Sequence, residues 1–202
     1  MPLWLDDQPL VLASGSAVRR MLLHSVGIPV EVRPTSIDER AIEARANLSA
    51  AAEVAALLAR EKALAGATSQ PGRLVLAADQ TLALGARRFS KPANRDMARE
   101  QLSALRGRTH ELHSAIATVR NREILFEHIA SARLTMREFS DQFLDDYLDQ
   151  IGPAATVSVG GYQLEGAGVQ LFDKIEGDYS TILGLPLLPL LAWLRRHGLL
   201  RT

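Results

Sequence analysis

Two short apolar runs, at residues 10–13 and 74–78, constrain the fold of this chain more than any other feature. Both runs are continuous rather than alternating, which is typical of strands buried on both faces. Segments with helical spacing lie between these and the later strands, including a clear amphipathic helix over residues 49–65 that is expected to stop at Gly66. Strands and helices interleave, which predicts an α/β protein with a mixed sheet.

The composition limits the classes of function. Hydrophobic residues make up 47% of the 202 residues and charged residues 23%, as in a globular protein with a sizeable core. Lysine plus arginine and aspartate plus glutamate both number 23, so the formal net charge is zero and binding to a nucleic-acid polymer is not expected. The absence of cysteine excludes disulfides, thiol catalysis and cysteine-based zinc sites.

Two segments of the sequence bear on the cellular location of the protein. The first residues include two aspartates and a proline, without the basic region and long apolar stretch of a signal peptide. The most apolar segment, residues 182–194, is interrupted by one glycine and two prolines and is too short to span a bilayer. We therefore expect a cytoplasmic protein with no membrane partner, folded as one domain over residues 1–202.

The turn after the first strand is a candidate anion site. Ser14 and Ser16 offer hydroxyl donors, and the following helix N-terminus adds backbone N–H groups and its positive dipole end. Arg19 and Arg20 add fixed charge in a planar geometry that suits phosphate. The alternative is an ordinary strand-to-helix connection with solvated arginines.

Two polar residues follow the second apolar run. Asp79 is expected at the end of a buried strand, where α/β folds commonly place ligands. Gln80 beside it is suited to reading an amide or base edge. The alternatives are a turn-capping aspartate and an exposed polar residue.

Four more charged residues are candidates. The proline after Lys91 restricts that lysine to an extended conformation, which would direct its ammonium at a phosphate. Lys62 could also reach a phosphate, and Glu39 could supply a carboxylate to magnesium. Glu165, in the glycine-rich segment 160–168, suits the N1–H and amine donors of guanine. A solvated surface residue is the alternative for each.

In their order along nearly the whole chain, these motifs resemble those of the Maf family of nucleotide pyrophosphatases. The matching strings are Leu12-Ala13-Ser14-Gly15-Ser16, Arg19-Arg20, Asp38-Glu39, Arg60-Glu61-Lys62-Ala63, Ala78-Asp79-Gln80, Lys91-Pro92, Leu105-Arg106-Gly107, Gly160-Gly161-Tyr162, Glu165-Gly166-Ala167-Gly168 and Gly184-Leu185-Pro186-Leu187. Each string alone is weak evidence for the family, whereas the whole set in this order is specific to it. The resemblance implies a mixed β-sheet bent around a central cleft between two lobes, with flanking helices, similar to the inosine triphosphate pyrophosphatases.

The resemblance also implies an activity. It is hydrolysis of a nucleoside triphosphate between the α- and β-phosphates, with a divalent cation, Mg²⁺ or Mn²⁺. Asp79 takes the place of the family's proton acceptor, and Glu39 with Asp79 would hold the metal. Arg19, Lys62 and Lys91 would bind phosphates. A homodimer is implied as well.

The positions that face the base favour one branch of the family. The branch acting on 7-methyl-GTP typically carries Ser-Pro-Trp-Arg-Arg, Asp-Gln and Glu-Gly, and the branch acting on dTTP and UTP carries Ser-Pro-Arg-Arg, Asp-Thr and Gln-Gly. Gln80, Glu165 and the placement of the arginines match the first branch. Val18 departs from it, because a positively charged methylated purine would stack on the tryptophan usual there.

Three alternatives stay open at this point. The chain could act on dTTP and UTP, or it could clear nucleotides with broad specificity. It could also bind a nucleotide without turnover as a regulator of septum formation, a role to which the family has been linked.

Overall fold

The computed structural model describes residues 2–202 and shows an α/β protein with one mixed sheet. The helices are α1 (Ala17–Ser25), α2 (Glu39–Ala46), α3 (Ala51–Ser69), α4 (Arg95–Leu105), α5 (Asp141–Ile151), α6 (Tyr179–Ile182) and α7 (Leu187–Arg196). The strands are β1 (Leu10–Leu12), β2 (Val30–Val32), β3 (Val75–Leu84), β4 (Arg87–Phe89), β5 (Thr109–Arg120), β6 (Glu123–Met136) and β7 (Phe172–Glu176). Within the described residues, no helix combines the length and hydropathy that a membrane span requires.

The strands lie in the order β2-β1-β3-β5-β6-β7, and β4 pairs with β3. β1 is parallel to both β2 and β3, whereas β4 is antiparallel to β3 and β7 is antiparallel to β6. Parallel neighbours need a crossover connection, which α1 supplies between β1 and β2, whereas α2 and α3 lead from β2 past β1 to β3 on its other side. The predicted mixed α/β sheet is confirmed.

The chain forms two compact units, within which β3, β5 and β6 each contribute residues to both. The first unit contains the residues up to Gln80, together with His113–Ala130 and Tyr179–Thr202. The second unit contains Thr81–Leu112 and Ser131–Asp178.

The core of the first unit explains the continuous apolar run of β1. Leu10 and Leu12 pack in one cluster with side chains of α1 and α7, and Val11 packs in a second cluster with the alanines of α3. Because side chains alternate between the faces of a strand, both faces of β1 are buried. The same argument holds for β3, whose alternate residues enter the same two clusters.

Helix α3 runs past the predicted stop at Gly66, so that prediction was wrong. A Cβ on Gly66 would lie 2.9 Å from Val75 Cγ1 and 3.0 Å from Ala13 Cβ. The absence of a side chain at Gly66 lets the helix pack closely against β1 and β3, and a larger residue would push the helix away from the sheet.

Candidate active site

A lysine ammonium joins two carboxylates in the first unit. Lys62 Nζ, from α3, lies 2.6 Å from Asp79 Oδ1 in β3 and 2.8 Å from Glu39 Oε1 at the start of α2. The side chains of Lys62 and Asp79 are only 15% and 12% exposed, and that of Glu39 is 48% exposed. Three residues singled out in the sequence are thus brought into direct contact.

Asp79 was predicted to lie at the end of its strand. That prediction was wrong, because Asp79 lies in the middle of β3. β1 pairs with β3 at Val75 and Leu76, and β4 pairs with it from Leu82 onward. Asp79 therefore lies along the stretch where neither of these two strands is paired with β3. β3 continues through the polar pair Asp79 and Gln80, which ends the apolar run, so the run alone could not reveal how far the strand extends.

The surroundings of Asp79 favour its use as a proton acceptor. Burial is the largest influence and raises the pKa of Asp79 above its ordinary value, although the charges of Lys62 and Arg19 act in the opposite direction. Glu39, a like charge, adds to the rise. A carboxylate with a raised pKa is a stronger base, and general bases work best when their pKa approaches the working pH.

Arg19 is held by three separate segments of the first unit. Its Nη1 donates to Ser14 Oγ at 3.1 Å and to Ala78 O at 2.7 Å, and its Nε donates to Gly184 O at 2.8 Å. Burial lowers the pKa of Arg19, while Asp79 raises it. The guanidinium is therefore a positive charge of fixed direction beside Asp79.

The turn before α1 is organised by its own hydroxyls. Ser14 Oγ accepts from Ser16 N at 3.3 Å, and Ser16 Oγ accepts from Arg19 N at 3.3 Å as the N-cap of α1. Arg20 is exposed on the first turn of the helix. Val18 is partly buried and packs against the cluster that contains Leu10 and Leu12.

Gln80 is bonded to the protein through its amide nitrogen. Its Nε2 donates to Ser114 Oγ at 2.9 Å, to Ile182 O at 2.9 Å and to Thr181 O at 3.2 Å. Ser114 Oγ in turn donates to Thr181 O at 2.7 Å. Ser114 was not predicted from the sequence, where it is one of two hydroxyl residues, with Thr118, among apolar residues of β5.

The second unit carries the other two candidates on its surface. Lys91 is exposed just after β4, and Glu165 is exposed within the glycine-rich segment 160–168. Tyr162 of the same segment is anchored to β5, because its OH and His110 Nε2 are joined by a buried hydrogen bond of 2.7 Å. Burial lowers the pKa of His110 to about 4, so the imidazole is neutral at physiological pH.

The donor set suits a hard divalent cation. The carboxylates of Glu39 and Asp79 both contact the ammonium of Lys62, and Mg²⁺ commonly takes one or two protein carboxylates and completes its shell with water and phosphate oxygens. Across residues 2–202, no group of three histidine, aspartate or glutamate side chains is arranged to hold a metal by itself. Glu39 and Asp79 could therefore supply ligands to a cation only where water and phosphate oxygens completed its shell.

The chain belongs to the Maf family, whose Maf-like protein sequence model matches residues 9–197. A nucleoside triphosphate pyrophosphatase of Rhodopseudomonas palustris (strain BisB5) is 60% identical over 200 residues, which are 99% of each chain. A 7-methyl-GTP pyrophosphatase of Mesorhizobium japonicum is 49% identical over 193 residues, covering 95% of this chain and 97% of that relative. A solved HAM1 protein from Coxiella burnetii aligns with 63% of this chain and 72% of its own, at 20% identity and a TM-score of 0.43.

Proposed function

We propose that this Maf-family chain is a nucleoside triphosphate pyrophosphatase whose preferred substrate is 7-methyl-GTP. The reaction cleaves the bond between the α- and β-phosphates and gives 7-methyl-GMP and pyrophosphate. The enzyme class is the one carried by the relative at 60% identity. The observation that carries the proposal is the contact of Lys62 with both Asp79 and Glu39, beside the fixed guanidinium of Arg19.

Asp79 is the proposed proton acceptor. Its carboxylate would orient a water and remove a proton as the water attacks phosphorus. The raised pKa of Asp79 supports this role, because it makes the carboxylate more basic while the neighbouring cations keep the charged form accessible.

The first unit supplies most of the proposed phosphate ligands. Arg19 and Lys62 offer positive charge that is already oriented, so little reorganisation is needed when charge develops on the phosphate oxygens. Ser14 and Ser16 each accept a bond within the loop, and a hydroxyl that accepts one bond can still donate its own proton to a phosphate.

Two exposed side chains complete the proposed phosphate contacts. Arg20 lies on the first turn of α1, and Lys91 follows β4. Both are long, flexible cations, so we propose that they become ordered only when the triphosphate binds.

Mg²⁺ or Mn²⁺ is the proposed cofactor, held by Glu39 and Asp79. When bound, the cation would offset negative charge on the phosphate oxygens. The carboxylates of Glu39 and Asp79 would repel each other, and the positive charge of Lys62 between them offsets this repulsion.

We propose that Glu165 selects the base. Its carboxylate can accept from the N1–H and the exocyclic amine of guanine, whereas a pyrimidine imide offers a single donor. The relative at 49% identity, named for 7-methyl-GTP, supports this choice. Gln80 would face the base only through its carbonyl oxygen, because its amide nitrogen donates to the protein. Val18 offers no ring for stacking and packs on the core instead.

The test is Glu165→Gln, with kcat/KM for pyrophosphate release measured on 7-methyl-GTP, GTP, dTTP and UTP. We expect about a tenfold loss on the two guanine nucleotides, the size of a lost base contact, and little change on the pyrimidines. Glu176→Gln is the matched control, since Glu176 is also an acid of the second unit and its carboxylate pairs with the surface residue Lys174.

An unchanged substrate profile in Glu165→Gln would contradict the proposed selection. Preference of the unmodified protein for dTTP or UTP would keep the enzyme class and reject the 7-methyl-GTP branch. Equal rates on all four would indicate a broad nucleotide-clearing enzyme. Binding without turnover would indicate the regulatory alternative.

A further inference from the structure

A fully buried serine lies behind the candidate active site in the first unit. Ser114 is in β5 and has no exposed surface, and the residues that follow it, Ala115 and Ile116, are also buried and apolar. Its hydroxyl accepts from Gln80 Nε2 at 2.9 Å and donates to Thr181 O at 2.7 Å. A hydroxyl in such a position costs free energy unless it is bonded, and this one is bonded on both sides.

The carbonyl that Ser114 contacts belongs to a hydrogen-bonded turn. Thr181 O also accepts from the backbone N–H of Gly184 at 3.0 Å and from Gln80 Nε2 at 3.2 Å. Gln80 Nε2 donates to Ile182 O as well, at 2.9 Å. The side chains of Gln80 and Ser114, both from the sheet, and the backbone N–H of Gly184 thus hold this turn in place.

The same turn carries the acceptor that aims Arg19. Gly184 O accepts from Arg19 Nε at 2.8 Å, and Gly184 has a φ of +88°. A Cβ on Gly184 would lie 3.2 Å from Arg19 Nη2, so backbone and guanidinium pack closely there. A shift of the turn would therefore move the guanidinium.

We propose that Ser114 is a positioning residue for phosphate binding, acting through Thr181 and Gly184 on Arg19. This inference rests on the proposed function, in which Arg19 contacts the triphosphate. Because Ser114 is buried, it does not touch the nucleotide itself. Because Arg19 would contact phosphate and not base, loss of Ser114 should weaken all nucleoside triphosphates by the same factor.

The chain offers a matched control on the same strand. Thr118 lies four residues after Ser114, on the same face of β5, and is equally buried. Within residues 2–202, Thr118 Oγ1 has no hydrogen-bond partner. Thr118→Val thus removes a buried hydroxyl from the same strand without breaking a bond, whereas Ser114→Ala breaks two.

The experiment compares Ser114→Ala and Thr118→Val with the unmodified protein. Binding of α,β-methylene-GTP is measured by calorimetry, and pyrophosphate release is measured on 7-methyl-GTP, GTP and dTTP. We expect Ser114→Ala to weaken binding and to lower kcat/KM about tenfold on every nucleotide, with the loss mainly in KM. Thr118→Val should stay within about twofold.

A double-mutant cycle with Arg19→Lys tests the route. Lysine cannot keep the three directed bonds of the arginine, so Ser114→Ala should have almost no further effect in the Arg19→Lys background. Additive losses would overturn the proposed action through Arg19.

Other outcomes would overturn the proposal in different ways. A loss confined to one base would mean that Ser114 acts through Gln80 on the base. Equal losses in Ser114→Ala and Thr118→Val, in step with melting temperature, would mean that the serine is only structural. Failure of the unmodified protein to hydrolyse any triphosphate would contradict the proposed function, while the calorimetry would still test the positioning role. If α,β-methylene-GTP did not bind, the positioning role would fail too.

Discussion

The two units of this chain differ in how they present most of their candidate functional residues, although Arg20 of the first unit is exposed. In the first unit, Asp79, Lys62 and Arg19 are largely buried and bonded to one another or to the backbone. In the second unit, Lys91 and Glu165 are exposed. The difference shows which charges are fixed before a ligand arrives.

Fixed charges suit the chemical step, because oriented dipoles and ions need no reorganisation as the transition state forms. Exposed side chains lose rotamer freedom on binding, so each contributes less per contact, but a change there is better tolerated by the fold. We infer that Asp79, Lys62 and Arg19 determine the rate and that Glu165 adjusts which base is accepted.

The largest expected effect is that of Asp79→Asn. The amide keeps the shape of the side chain but cannot accept the proton, so the rate of pyrophosphate release should fall by about two to four orders of magnitude. Glu127→Gln is the matched control, since Glu127 is another carboxylate of the first unit held by a cation, with Oε1 2.7 Å from Arg60 Nε. Near-normal turnover in Asp79→Asn would remove the basis for placing the chemistry in the first unit.

The next effect concerns the second unit and stability. The pKa of His110 is lowered by burial from 6.5 to about 4, so the folded state holds this proton less tightly than the unfolded state does. Stability is therefore fully present above pH 6.5 and is lost as the pH falls toward 4, by about 3 kcal/mol. Denaturant unfolding of the unmodified protein and of His110→Gln at several pH values measures this.

In His110→Gln, the fall in unfolding free energy between pH 6.5 and 4 should be smaller by about that amount. His24→Gln, at an exposed histidine of α1, is the control for the exchange of a histidine for glutamine. Parallel pH curves for the unmodified protein and His110→Gln would show that the buried imidazole is not what makes the second unit sensitive to acid.

The smallest expected effect comes from alanine at two glycines, of which both strain the backbone and only one displaces Arg19. Gly184 and Gly198 have φ values of +88° and +68°, so alanine at either should cost about 1–2 kcal/mol of stability. A Cβ meets Arg19 Nη2 at 3.2 Å only in the first case, and nothing lies within 4 Å in the second. Gly184→Ala should therefore lower kcat/KM about tenfold while Gly198→Ala leaves it unchanged. Equal kcat/KM values for the two variants would contradict the claim that the position of Arg19 affects the rate.

Much of the fold was predictable because its signals are local. The continuous apolar run of β1 marks its strand correctly, and a helix begins directly after the turn that carries Ser14 and Ser16, as predicted. Gly66 misled because a glycine inside a helix and a glycine that ends one look the same in sequence, and only the distance to Val75 and Ala13 distinguishes them.

The candidate site was predictable in its charged members and not in its supports. Asp79, Lys62 and Glu39 stand out as residue types, and the structure joins them. Ser114 and Gly184 act through hydrogen bonds between segments far apart in the chain, which no spacing in the sequence encodes. The homodimer, the cytoplasmic location and the roles of the individual site residues stay predictions.

The most direct test of the account is product analysis with magnesium or manganese across 7-methyl-GTP, GTP, dTTP, UTP and ITP, for the unmodified protein beside Asp79→Asn. We expect equal amounts of nucleoside monophosphate and pyrophosphate, released fastest from 7-methyl-GTP, and loss of this release in the variant. Release of nucleoside diphosphate and inorganic phosphate, or undiminished turnover in Asp79→Asn, would contradict it.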